Sequence, residues 1–161
     1  MRKIFLMTLL VMMMSAATAL AADWQPVYVD EHGNEIYFDP ATVKVSSRNG
    51  DDVVFNATFR TVYSDKGKQV LIDWYRNNSI MPPDINSLAY DITTTNFKKS
   101  GESRDFCIMA RKFYARDGRA VEYMDYVNSN PMWEQIVPSS LQEVEYYEAL
   151  RIVQGKEFYH N

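Results

Sequence analysis

The stretch Val53-Val54-Phe55-Asn56-Ala57-Thr58-Phe59-Arg60 decides the fold class. Val53, Phe55, Ala57 and Phe59 alternate with Val54, Asn56, Thr58 and Arg60. Successive side chains of a strand point to opposite faces, so this period of two buries one face and leaves the other largely wet. The preceding Arg48-Asn49-Gly50-Asp51 contains Asn-Gly, a strong hairpin signal, and pairs the stretch with a short strand at Thr42 to Ser46. Ser64-Asp65-Lys66-Gly67 turns the chain on the other side.

Further strands follow in both directions. Towards the N-terminus, Trp24 to Asp30 reads as a strand, Glu31-His32-Gly33-Asn34 as a turn, and Glu35 to Phe38 as a returning strand that Asp39-Pro40 breaks. Towards the C-terminus, Val70, Leu71, Trp74 and Tyr75 have the i, i+4 spacing of a helix on a sheet over Lys68 to Asn78, although Val70-Leu71-Ile72 also suits a strand. The helix is the reading adopted, and Pro82-Pro83 ends it. Leu88 to Phe97 is a strand with Leu88, Tyr90 and Ile92 on one face, and Thr93, Thr94 and Thr95 suit it as β-branched residues. Lys98 to Arg104 is a polar connection. Phe106 to Ala115 and Ala120 to Val127 form a hairpin about Asp117-Gly118, and a loop follows at Asn128-Ser129-Asn130-Pro131.

The last element is a helix. Ser140-Leu141-Gln142-Glu143 is a capping box, in which the serine oxygen accepts from one orphan N–H and the glutamate reaches back to another. Leu141, Val144 and Tyr147 form one apolar stripe and Tyr146, Leu150 and Val153 a second, with Gly155 placed to end the helix. The expected fold is α+β: an antiparallel sheet of about six strands with a C-terminal helix packed on it and one short additional helix.

The front of the chain has the three parts of a cleavable signal peptide. Arg2 and Lys3 precede the apolar run Ile4 to Met14, and Ala19-Leu20-Ala21 fits the cleavage rule. The run is shorter than the roughly 20 residues needed to span a bilayer. Cleavage after Ala21 leaves residues 22–161, a length suited to a single domain. Export to a periplasm, a cell surface or the medium is therefore expected, with no transmembrane segment in the mature chain. Loss of Arg2 and Lys3 takes the formal charge from −4 to −6, and the remaining basic pairs are isolated, which excludes nucleic acid as an expected partner.

The sequence lacks the patterns of common catalytic centres. His32 and His160 belong to no spaced ligand set and read as solvent-exposed, so neither metal nor cofactor is expected. No nucleophile elbow or phosphate-cradling glycine loop occurs. Cys107 is the single cysteine; it reads as a buried thiol, with a disulfide-linked dimer as the alternative. Asp73 beside Trp74 is the most suggestive carboxylate for an enzyme reading, although it reads first as a surface side chain. With three Trp, eleven Tyr and eight Phe the chain is rich in the residues that binding surfaces favour, and Tyr123, Tyr126, Tyr146 and Tyr147 are the candidates for a partner surface.

A family resemblance joins these readings. Trp24 with Val27, then Tyr37-Phe38-Asp39 and Thr42-Val43, resembles the opening of the surface-adhesin protein E family of small exported bacterial domains. Tyr114 and Gly118 stand at its hairpin positions. Trp133, Ile136, Pro138, Ser140 and Glu143 match its W-x-x-I-x-P-x-S-x-x-E run, the most specific part of a likeness that spans nearly the whole mature chain. Cys107 falls near the family's strand cysteine. That cysteine is typically tied to another at the end of the helix, where this chain has Ala149-Leu150-Arg151, so Leu150 and Val153 are expected to dock the helix instead. The resemblance implies an antiparallel sheet with a C-terminal helix and an adhesin role towards host matrix or serum proteins. The leading expectation is thus an exported, non-enzymatic protein-binding domain. The alternatives are a periplasmic small-ligand-binding domain or envelope enzyme, which would show as a pocket with converging polar groups, and an envelope assembly factor.

Overall fold

The computed structural model describes residues 22–78, 84–125 and 132–158. In chain order these form β1 (Gln25–Val29), β2 (Glu35–Asn49), β3 (Asp52–Val62), helix α1 (Asp65–Asn77), a 3-10 turn (Ile85–Ser87), β4 (Leu88–Ser100), β5 (Ser103–Ala115), β6 (Ala120–Asp125), β7 (Glu134–Gln135) and helix α2 (Leu141–Phe158). The strands make one open antiparallel sheet in the order β1-β2-β3-β4-β5-β6, with β7 paired to the other end of β5. The expected α+β class and C-terminal helix are present, as is the additional helix, which starts three residues earlier than the spacing suggested because Ser64 caps it, its Oγ accepting from the Gly67 N–H at 2.9 Å.

Val53, Phe55, Ala57 and Phe59 are all buried, as their alternation requires. They share a face with Ile36, Phe38 and Val43 of β2 and Phe97 of β4, and α2 covers them with Tyr146, Ala149, Leu150 and Val153. Tyr146 sits 5.8 Å from Phe55 and 5.9 Å from Phe97 between ring centroids. Burying each ring contributes about 2–3 kcal/mol, so this cluster carries much of the driving force. A second cluster on the same side joins Ile72 and Tyr75 of α1 to Ile85, Leu88 and Phe113.

Four local expectations are corrected. Asp39-Pro40 does not break the strand: β2 runs through, and the register steps from Asp39 opposite Thr58 to Lys44 opposite Asn56. The proline falls inside this bulge, where its missing N–H costs no ladder bond. Thr42 Oγ1 bridges the gap, donating to the Asp39 carbonyl at 2.7 Å and accepting from the Thr58 N–H at 2.9 Å. Lys98 to Arg104 is mostly strand, since β4 and β5 continue to a tight turn with Gly101 at φ 57°. The buried side of β4 beyond Leu88 is Asp91, Thr95 and Phe97, because the register shifts between Leu88 and Tyr90 and sends Tyr90 and Ile92 to the other face. Finally, Gly155 does not end α2, which continues to Phe158.

Candidate functional site

Two hollows flank Arg111 on the helix-bearing side of the sheet. One, of about 380 Å³, lies under α1 and is lined by Val70, Leu71, Trp74 and Tyr75, with Phe113 from β5 and His32 and Asn34 from the β1–β2 turn. The other, of about 60 Å³, lies under α2 and is lined by Gln142 and Glu145 with Thr61, Thr93 and Thr95 from the sheet. Arg111 and Tyr63 border the first, and Arg111 borders the second.

The position of α1 follows from a relay of short-range bonds. Asp30 accepts from the backbone N–H groups of His32 and Asn34 and from the Asn34 side-chain amide, at 2.8–2.9 Å. The Asn34 amide oxygen then accepts from the Ser64 N–H at 3.0 Å, and Ser64 Oγ donates to the His32 carbonyl at 2.6 Å. The β1–β2 turn and the start of α1 are therefore one unit, and Gly67 lies against Asn34 with no room for a side chain.

Beneath the helices lies a polar cluster that sequence reading missed. Asp91 is fully buried, at 0% exposure. Its Oδ2 accepts from the Tyr63 hydroxyl, from Arg111 Nε at 3.0 Å and from Arg111 Nη2 at 2.7 Å, and its Oδ1 accepts from Thr93 Oγ1 at 3.1 Å. Arg111 Nη2 also donates to the Tyr63 oxygen at 3.0 Å. Burial opposes the charge of Arg111, but Asp91 and Tyr63 outweigh it and hold the guanidinium charged. Burial, reinforced by the Asp91 charge, raises the Tyr63 hydroxyl well above the usual phenol range. The outcome is a compensated ion pair whose remaining donor, Arg111 Nη1, has no hydrogen-bond partner among the described residues.

Glu145 is buried at 8% exposure and stands differently. No hydrogen bond or ion pair reaches its carboxyl among the described residues. Burial first, and then the Asp91 charge, push its pKa up to about 8, with Arg111 acting in the opposite sense. His32 is half-buried rather than exposed, and its Nδ1 is buried without a partner.

The residues singled out from sequence fall elsewhere. Tyr146 is sealed in the core, whereas Tyr147 is 45% exposed with the Arg104 guanidinium 5.2 Å over its ring. Tyr123 stands in β6; its side chain, Tyr126, His160 and the leader lie outside the described residues. Asp73 faces outward on α1, accepting from Gln69 at 3.0 Å and pairing with Arg76. Trp24 is partly buried, and Asp39 accepts from the Ala41 N–H within the β2 bulge. Tyr114 stacks on Tyr90 at 4.9 Å, and Gly118 supplies the φ of 81° that its hairpin needs.

The Trp133–Glu143 run shapes the backbone. The Ile136 N–H donates to the Arg104 carbonyl at 2.9 Å, Ile136 is buried, and Pro138 is exposed beside the start of α2. Ser140 Oγ accepts from the Glu143 N–H at 3.2 Å, while the Glu143 carboxylate accepts from Ser139, one residue further back than a capping box requires. Cys107 is a buried thiol, its pKa raised by burial and then by Glu134. It pairs with Asn96, and so faces away from the Phe55–Phe97–Phe106 row that α2 covers. Leu150 and Val153 dock the helix, as expected.

Among the described residues no three His, Cys, Asp or Glu side chains gather to hold a metal ion. No described helix is long and apolar enough to cross a membrane. No protein-family model, curated protein or solved structure matches the chain.

Proposed function

We propose that this protein is an exported, non-enzymatic binding domain and that its ligand is a small amphipathic molecule held in the hollow under α1. The observation that carries this reading is the composition of that hollow: an apolar wall of Val70, Leu71 and Trp74 faces a polar floor of His32, Asn34, Tyr63 and Arg111. Its volume of about 380 Å³ lies in the range of small-molecule sites, and apolar walls with a few convergent polar groups are their usual make-up. Arg111, which borders the hollow, keeps Nη1 without a hydrogen-bond partner among the described residues, a donor suited to the polar end of a ligand. Recognition suits these groups better than proton transfer. Asp91 already accepts four hydrogen bonds, and Tyr63 holds its proton firmly.

The test uses 8-anilinonaphthalene sulfonate, an amphipathic dye. Saturable one-to-one binding with quenching of Trp74 emission is expected, and Trp74→Ala is expected to weaken it about tenfold or more while leaving the circular dichroism unchanged. Equal binding to the variant, or none to the native protein, would discard the site.

A protein partner, as the resemblance to surface-adhesin protein E implies, is the second reading. Met132, Val137, Trp133 and Tyr147 favour it, being large apolar side chains exposed about β7 and the start of α2. Shaving intact cells with protease separates the two. Degradation before lysis, together with loss of matrix- or serum-protein binding in Trp133→Ala, is expected of an adhesin. Protection until the envelope is opened would remove that role.

A further inference from the structure

We propose that the small hollow under α2 is a receptor for a protonated primary amine, with Glu145 as its counter-ion. This hollow shares Arg111 with the larger one but has its own lining, so the inference stands apart from the reading of the α1 site.

Three observations carry it. Glu145 lines the hollow, is more than nine-tenths buried and has no partner of its own among the described residues. Its carboxyl oxygens are not among the buried atoms left without a partner, so they keep access to water and to a ligand. Besides Arg111 and the apolar Phe106, Ile108 and Leu141, the lining is Thr61, Thr93, Thr95 and Gln142, which offer oxygen acceptors. An ammonium group has three donors and no acceptor, so this wall suits it. The hollow, at about 60 Å³, has room for a head group and little more, so the rest of the ligand would extend outward.

Two charged groups on the strands beneath act electrostatically on Glu145: Arg111 on β5, which lines the hollow with it, and Asp91 on β4. Arg111 would repel an ammonium ion, but its charge is bound to Asp91 at 2.7 Å. An incoming ammonium ion would convert Glu145 to the carboxylate and expel its proton to solvent, leaving the hollow with two compensated ion pairs.

The probe is methylammonium chloride, titrated into the folded protein at about pH 6.5 in buffers of different ionisation enthalpy. Saturable binding with release of about one proton per amine is expected, the release vanishing above about pH 9. Glu145→Gln is expected to weaken binding about tenfold or more and to abolish the proton release. Equal binding by Glu145→Gln would overturn the proposal. So would the absence of saturable binding to the native protein, or equal binding of sodium or potassium chloride. If the variant does not fold, the carboxyl carbon signal of Glu145 in the native protein decides. A shift to the ionised position with methylammonium supports the assignment, and an unmoved signal overturns it.

Discussion

Glu145 couples folding to pH in a definite direction. Its pKa is about 8 in the fold against an ordinary 4.5, so the folded state holds this proton more tightly than the unfolded chain does. The stabilising term is complete below about pH 4.5 and is lost as pH rises towards about 8, at up to about 1.4 kcal/mol per pH unit. Urea unfolding of the native protein and of Glu145→Gln across that window should therefore show the variant gaining relative stability as pH rises. The Asp91–Arg111 pair behaves differently, because each partner compensates the other. Arg111→Met leaves Asp91 buried without its cation and is expected to cost about 3–5 kcal/mol in the same assay. Adding Asp91→Leu should recover part of that loss, since an apolar pair needs no compensation. These residues were not legible in the sequence. Asp91 lies on a strand whose local pattern puts Leu88, Tyr90 and Ile92 on the apolar side, and one register shift reverses the faces. Glu145 did leave a trace: it interrupts the i, i+4 series Leu141, Glu145, Ala149, Val153, three of which are apolar.

The elements were more legible than the residues, for physical reasons that differ from one to the next. β3 has an unbroken period of two and α2 has a capping signal, and both features are local. β2 looked like two strands because Asp39-Pro40 has a turn composition. The bridging Thr42 hydroxyl depends on a strand sixteen residues away, which no local pattern reports. The placement of α1 is likewise long-range: Ser64 and Gly67 are ordinary turn residues until Asn34 is brought against them. Gly67→Ala tests that unit. In an isolated helix alanine is better than glycine by about 1 kcal/mol. Here its methyl group would overlap the Asn34 amide, which is held by bonds to Asp30 and Ser64. A lowered unfolding midpoint is expected, together with weaker dye binding in the hollow that α1 covers. A raised midpoint would show that α1 lifts away without cost.

At the scale of the whole molecule, the meander order made the fold class readable, because each of the first six strands pairs with its sequence neighbour and only the β3–β4 link, which carries α1, is long. The candidate site was not readable at this scale, since it gathers Asn34, Tyr63, Asp91, Arg111 and Glu145 from five separate parts of the chain. The same arrangement governs the order in which the protein can be completed. The rings of Phe38, Phe55, Phe59 and Phe97 come from β2, β3 and β4, yet α2, which covers them, follows every strand in the chain. A chain under synthesis thus has an aromatic sheet face to keep from sticking until α2 is available to cover it. A fragment ending at residue 138 should accordingly need a holding chaperone to remain dispersed, while the full chain should not.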